Sequence, residues 1–261
     1  MTLSSQTQER TAAGGRKVSG ILLDIEGTTT PIAFVHEVLF PYARSRIRSF
    51  LETHWDSADI SADLARLREE HHADTEQGVA PPPLIDGPRA AAIESITEYV
   101  HWLIDQDRKS TGLKSLQGKI WEQGYTDGTL KAPLFADVLP ALARWRHVGL
   151  KIGVFSSGSV LAQKLLFGHT EVGDVTRFID AYFDTTTGSK MSIDSYRQIA
   201  SALHLLPSEV LFISDVIGEL DAARLAGMNT LLCARPGNPP QPTGNHKVIQ
   251  SFGEISEIPD I

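Results

Sequence analysis

Cysteine is nearly absent: Cys233 is the single one among 261 residues, so no intrachain disulfide can form. It lies in the apolar run Thr230-Leu-Leu-Cys-Ala, where a thiol reads as core rather than as a nucleophile. No apolar run approaches the ~20 residues that a membrane-spanning helix needs. Residues 1–16 are polar and small and lack the apolar region of a secretory signal, so a disordered tail is expected there. Positive charge is outweighed, 24 Lys and Arg against 32 Asp and Glu, and the net charge of -8 argues against non-specific binding to nucleic acid or to anionic membranes. A small anionic substrate is not excluded, because a bound cation and local lysines reverse the field inside a site. No internal repeat is visible. The expectation is a cytoplasmic, monomeric protein that acts on a small molecule, with no nucleic-acid or membrane partner.

What is present is the composition of an ordinary globular protein, 41% apolar and 21% charged. The length allows one large domain, or a core with a smaller companion. The stretch Lys17–Pro31 organises the rest. Its apolar run (Val18, Ile21, Leu22, Leu23) predicts a buried strand of a parallel sheet. The strand ends in two carboxylates, Asp24 and Glu26, followed by Gly27 and three threonines. Acids at that position are costly to desolvate unless a metal or hydrogen bonds hold them.

From 34 to 128 the pattern turns helical and charge-rich. Pro41 opens one predicted helix, with Tyr42, Ile47, Phe50 and Leu51 at near-helical spacing, and others are predicted over 62–71, along the stripe Ile93–Ile104, and over 113–123. The proline-rich segment 77–89 must be a loop. After Gly128 strands and helices alternate. Strands are predicted at 150–155, 181–183, 210–213 and 230–233, and 235–246 reads as a Gly/Pro-rich loop. The expected fold is therefore α/β, a doubly wound, mostly parallel sheet formed by 17–33 and 129–261, with a helical cap, 34–128, inserted after the first strand.

In a parallel sheet the strand ends share one rim. The first ends in Asp24 and Glu26, the second in Ser156-Ser157, and the third in Asp215 with Glu219 and Asp221 just beyond; Lys190 lies in a Thr/Gly/Ser loop between the last two. This inventory suits metal-assisted phosphoryl transfer. Carboxylates bind a hard cation such as Mg²⁺, a serine and a lysine hold phosphate oxygens, and a remaining carboxylate attacks phosphorus. Singly, each piece has a plainer reading: the serines as a polar turn and N-cap, Lys190 as a surface charge, Asp215 as a helix cap. Their order and placement together favour the site. His36, Glu37 and Tyr42, at the start of the helical block, are expected either to reach the substrate or to serve as hinge and helix-end residues.

The order Asp24-x-Glu26-x-Thr28, Ser156, Lys190, Asp215 resembles the four-motif signature of the haloacid dehalogenase superfamily. Within it, Asp-Ile-Glu-Gly-Thr-Thr-Thr-Pro-Ile, Phe-Pro-Tyr42, Ser-Ser-Gly-Ser-Val with Gln-Lys-Leu-Leu-Phe-Gly168, Tyr-Phe-Asp184 and Arg-Pro-Gly-Asn238 resemble the acireductone synthases, the enolase-phosphatases of methionine salvage. The resemblance runs from Val18 through nearly the whole chain, and Asp-x-Glu, where the wider superfamily has Asp-x-Asp, is fairly specific to that group. It implies one Mg²⁺ per chain, held by Asp24, Glu26 (through side chain or backbone) and Asp215. It also implies Asp24 as nucleophile, Glu26 as proton shuttle, and Ser156, Ser157 and Lys190 on the substrate phosphate. Glu219 would take the second acidic place of the last motif.

Rival readings remain at this level. A general sugar-phosphate or phosphoserine-type phosphatase needs the same rim and differs only in its cap. A metal-free dehalogenase leaves Glu26, Asp215 and Glu219 without a task. A signalling receiver domain would carry its acidic pair before the phospho-acceptor and no long helical insert.

Overall fold

Among the described residues six short strands, β1 (Gly20–Leu23), β2 (Lys151–Phe155), β3 (Ala181–Phe183), β4 (Val210–Ser214), β5 (Asn229–Cys233) and β6 (Lys247–Ile249), pair in the order β3-β2-β1-β4-β5-β6. Every pairing is parallel. The computed structural model describes residues 17–255 except 107, 109, 241 and 243. The tail expected over 1–16 lies outside the described residues.

After β1 come a π-helical turn, Phe34–Leu39, and four helices that form the insertion: α1 (Phe40–His54), α2 (Ala58–Glu76), α3 (Arg89–Asp105) and α4 (Thr111–Thr126). They enclose an apolar cluster of their own, including Ile47, Leu51, Leu67, Ile96, Val100 and Leu116. Gly112 makes one contact possible: a Cβ there would lie 2.7 Å from Leu67 Cγ, so α4 approaches α2 closely only without one. The two ends of the insertion belong elsewhere. Phe34, Val35, Leu39 and Tyr125 pack into a cluster with the sheet.

Four more helices follow, α5 (Val138–His147), α6 (Val160–Gly168), α7 (Ile193–Ala202) and α8 (Ile217–Leu225). Successive strand residues point to opposite faces. Ile21, Leu23, Val154 and Ile213 meet Trp145 of α5 and Leu166 of α6, whereas Leu22, Phe155 and Phe212 meet Tyr196 of α7 and Leu220 of α8. Both faces are covered, as continuous apolar strands require. Cys233 is buried within β5 and burial pushes its thiol up to about 12, so it is inert core.

The structure departs from the pattern in four places. A π-helical turn, Phe34–Leu39, precedes the helix that Pro41 is expected to open, and that helix does start there, at Phe40 with Pro41 in its first turn. Proline has no N–H for the Glu37 carbonyl, and the turn before it widens, with Phe40 N–H donating to Val35 O. Helix α2 extends to Glu76 beyond the expected 62–71, because its last turns are charged and mostly exposed and carry no apolar period. Helix α4 starts before its apolar stripe: the Ser110 hydroxyl accepts from Leu113 N–H at 2.9 Å, and Glu70 accepts from Thr111 N–H at 2.8 Å. Strand β6 was unforeseen; only Ile249 of its three residues is buried, too little to read as alternation. Among the described residues, no helix is long and apolar enough to cross a membrane.

Leu67 tests the independent core of the insertion. Leu67→Ala is expected to cost about 2–5 kcal/mol, read as a lower midpoint in urea unfolding with an unchanged slope. An unchanged midpoint would show that this cluster does not stabilise the chain.

Candidate active site

Strands β1 and β4 are neighbours at the point where the sheet order reverses, with β2 and β3 on one side and β5 and β6 on the other. Open α/β sheets bind ligands outside the carboxyl ends at such a point. There the chain sets Asp24 after β1 and Asp215 after β4, and Asp24 N–H still pairs with Ile213 O at 3.0 Å.

Asp24 is 2% exposed. Its Oδ1 accepts from Ile25 N–H at 2.7 Å and from Lys190 Nζ at 2.6 Å, and its Oδ2 from the Ser214 hydroxyl at 3.2 Å. Lys190 reaches Glu219 Oε2 of α8 at 2.7 Å, and Ser214 Oγ lies 3.0 Å from the same oxygen. Burial opposes the charge on Lys190, but the two carboxylates outweigh it and raise its pKa, so it is held as a cation. Its own carbonyl accepts from the Tyr196 hydroxyl at 2.7 Å, which anchors the loop.

Negative charge exceeds what Lys190 balances. Burial first, and then repulsion from Asp24, pushes the carboxyl of half-buried Glu26 up to about 7. The same causes push Asp215 and Glu219 up to about 7. The Asn238 amide donates to Asp215 Oδ2 at 3.3 Å. Gly27 has φ +70°, and a Cβ there would fall 2.3 Å from the same oxygen, so both backbone and packing demand glycine.

The Ser156–Ser159 loop leads into α6. Ser156 N–H donates to Phe183 O at 3.2 Å, and its hydroxyl accepts from Gly158 N–H at 3.1 Å. Buried Gln163 donates through Nε2 to Gly158 O at 2.9 Å and Phe183 O at 2.8 Å. Asp184 accepts from Val160 N–H at 3.1 Å, and Lys114 of α4 reaches Ser157 O at 3.3 Å. Carbonyls of the loop are thereby drawn into bonds with neighbouring side chains.

A cavity of about 390 Å³ lies between this loop and the helical insertion. Glu26, Ser156 and Ser157 line it beside His36, Arg108, Lys114 and Gln117, and its apolar wall includes Leu39, Phe40, Leu103 and Trp121. Trp121 also donates its indole N–H to Leu39 O at 2.8 Å, tying α4 to the π-helical turn.

The rim residues read from the sequence are thus brought together in two groups: Asp24, Lys190 and Asp215 in the buried charge centre, and Glu26, Ser156 and Ser157 on the cavity. His36 lines the cavity, Glu37 is exposed, and Tyr42 packs beneath Arg46 and against Gly124. Glu219 sits under Lys190, whereas Asp221 faces Arg224 and His246. Among the described residues no three Asp, Glu, His or Cys side chains stand at metal-ligating spacing. The rim instead offers two carboxylates on adjacent strand ends and an excess of negative charge. Gln163, Lys114 and Asn238 were missed as site residues; Gln163, which opens the Gln-Lys-Leu-Leu-Phe-Gly run, and Asn238, in its Arg-Pro-Gly-Asn turn, gave a signal, and Lys114 gave none.

The chain is similar to known proteins over most of its length. A model of haloacid dehalogenase-like hydrolases matches residues 18–227. The chain is 52% identical to Enolase-phosphatase E1 of Synechococcus elongatus, covering 91% of this chain and 98% of that one. The chain belongs to the enolase-phosphatase family of haloacid dehalogenase-like hydrolases. It is also 46% identical to Enolase-phosphatase E1 of Sorangium cellulosum, over 90% of this chain and 96% of the relative. Among solved structures, the UTR4 protein of Saccharomyces cerevisiae matches at 36% identity with a TM-score of 0.73, over 90% of this chain and 98% of that one. The protein is therefore an enzyme, a hydrolase of the phosphatase kind, and the receiver-domain reading falls.

Asp215 gives a signed pH test. Its folded pKa, about 7, stands above its ordinary 3.8, so the folded state binds the extra proton between those values and stability falls as pH rises through them. Asp215→Asn removes that loss. In chelator, its thermal midpoint should gain on wild type more at pH 8 than at pH 5; a constant difference would mean that burial and repulsion do not raise the Asp215 carboxyl.

Proposed function

We propose that the enzyme converts 2,3-diketo-5-methylthiopentyl 1-phosphate to the acireductone 1,2-dihydroxy-3-keto-5-methylthiopentene and phosphate, the enolase-phosphatase step of methionine salvage. The observation that carries the reading is a desolvated Asp24 carboxylate, 2.6 Å from Lys190, beside a cavity with an apolar wall and a serine loop. The relatives' name, Enolase-phosphatase E1, supports the chemistry. The apolar wall suits a methylthio tail, and the loop after β2 suits the phosphate.

In this reading Asp24 attacks phosphorus, the bond from phosphorus to the substrate oxygen breaks, and an aspartyl-phosphate forms. Glu26, with a carboxyl near 7, gives its proton to the leaving oxygen. It then takes a proton from the water that attacks phosphorus and frees Asp24. Lys190 offsets the repulsion between Asp24 and the anionic substrate, and Ser156 and Ser157 hold the phosphate oxygens. Asp24 and Asp215, with Glu26 through its carboxylate or carbonyl, would hold one Mg²⁺; the surplus carboxylate charge fits a divalent cation. When bound, the ion supplies positive charge at the phosphate and polarises a substrate carbonyl for enolisation. The helical insertion, 34–128, acts as a cap that excludes water from the cavity over the core formed by 17–33 and 129–261. The enzyme works as a monomer in the cytoplasm on this small phosphate ester.

Asp24→Asn should lower phosphate release by roughly a thousandfold or more; substantial residual turnover would remove Asp24 as the nucleophile. The substrate itself is tested by following the ultraviolet enol signal and free phosphate together with the diketone phosphate and Mg²⁺. Enol rising ahead of phosphate is the expected course. Release from common sugar phosphates, with none from the diketone, would make the protein a general phosphatase.

A further inference from the structure

The Arg235-Pro-Gly-Asn238 turn has no part in the chemistry above, yet it reaches the charge centre. It follows β5, on the β4 flank of the sheet, whereas Lys190 arrives from the β3 side. Arg235 is buried and clamped: Nη1 donates to both oxygens of Asp137 at 2.8 Å, and the guanidinium lies between the rings of Phe135 and Phe252, at 4.5 and 4.6 Å. Its Nε donates to Thr28 O at 3.0 Å. Three residues on, Asn238 Nδ2 donates to Gly27 O at 2.9 Å and to Asp215 Oδ2 at 3.3 Å. One turn therefore grips two consecutive carbonyls of the loop after β1 and a carboxylate at the end of β4.

The Asn238 amide has two protons, and each has an oxygen to meet. A flipped amide would set its oxygen against two others, so the surroundings dictate its orientation. Gly27 completes the knot, since a Cβ there would touch both Asp215 and Asn238, at 2.3 and 3.0 Å. Arg235 makes the platform rigid, and Asn238 is the arm that crosses from one acidic strand end to the other.

We infer that Asn238 is a positioning residue for the metal site: by tying Asp215 Oδ2 to the Gly27 carbonyl, it sets the separation between the Asp215 carboxylate and the loop bearing Asp24 and Glu26, and with it the affinity for a divalent cation. The inference rests on the Mg²⁺ reading given above. Without the amide, two like charges lose the donor that holds one of them in register. Groups that orient a metal ligand from behind change metal affinity by about 10–100-fold when removed.

The test is calorimetric titration of the metal-free protein with Mg²⁺, without substrate, for wild type, Asn238→Ala, Asn238→Asp and Asp215→Asn. Asn238→Ala should weaken the Mg²⁺ Kd by about 10–100-fold while its thermal midpoint in chelator stays close to wild type, because the residue is only half-buried. Asn238→Asp, which replaces the donor by another carboxylate, should also bind more weakly than wild type. Asn238→Ser serves if the alanine variant does not fold. Wild-type affinity in Asn238→Ala, with binding lost in Asp215→Asn, would overturn the positioning role. Wild-type affinity in Asp215→Asn would overturn the metal reading and this inference with it.

Discussion

Burying carboxylates at the end of a parallel strand is the constraint on which the structure turns. Asp24 is withdrawn from water where two strands end side by side, and its carboxylate is met there by Lys190 at 2.6 Å and by hydrogen bonds from Ile25 N–H and the Ser214 hydroxyl. Lys190 in turn needs its own support, and receives it from Glu219 at 2.7 Å and from Tyr196, which fixes its backbone. Ser214 stands between the Asp24 and Glu219 carboxylates. Each group is tolerable because the next is present, so the loops after β1 and β3, the end of β4 and helices α7 and α8 must close together.

The surplus charge gives the site its character. One lysine faces Asp24, Glu219, Glu26 and Asp215, and the last three are pushed towards neutral pH by burial and mutual repulsion. Such a rim is unfavourable in the isolated protein, and under the proposed function a cation and a phosphate ester would relieve it. Burial, with repulsion from Asp24 behind it, brings the Glu26 carboxyl to a pKa suited to proton transfer near neutrality.

The helical insertion answers a different need. Its core is separate from the sheet, so its inner face can be apolar and still leave a cavity of about 390 Å³ above the serine loop. The π-helical turn ahead of Pro41 lies where the insertion leaves the core, and it presents Val35, His36 and Leu39 to that cavity. Charge chemistry thus sits on the rigid sheet, while the insertion contributes most of the apolar wall.

The parallel sheet and the gathering of Asp24 and Asp215 at one rim were legible in the chain, because buried parallel strands are continuous apolar runs and acids at their ends are conspicuous; Lys190 was placed there by its position in the motif order. The turn at Phe34–Leu39, the edge strand β6 and the length of α2 were not, since none carries an apolar period strong enough to read. Gln163, Lys114 and Asn238 bear ordinary polar side chains whose role depends on which carbonyl or carboxylate they meet. Those partners lie five to more than two hundred positions away along the chain. Local pattern determines what a segment is and which groups it can offer; which of those groups meet is decided only when strand order and helix packing bring distant backbone atoms within hydrogen-bond range.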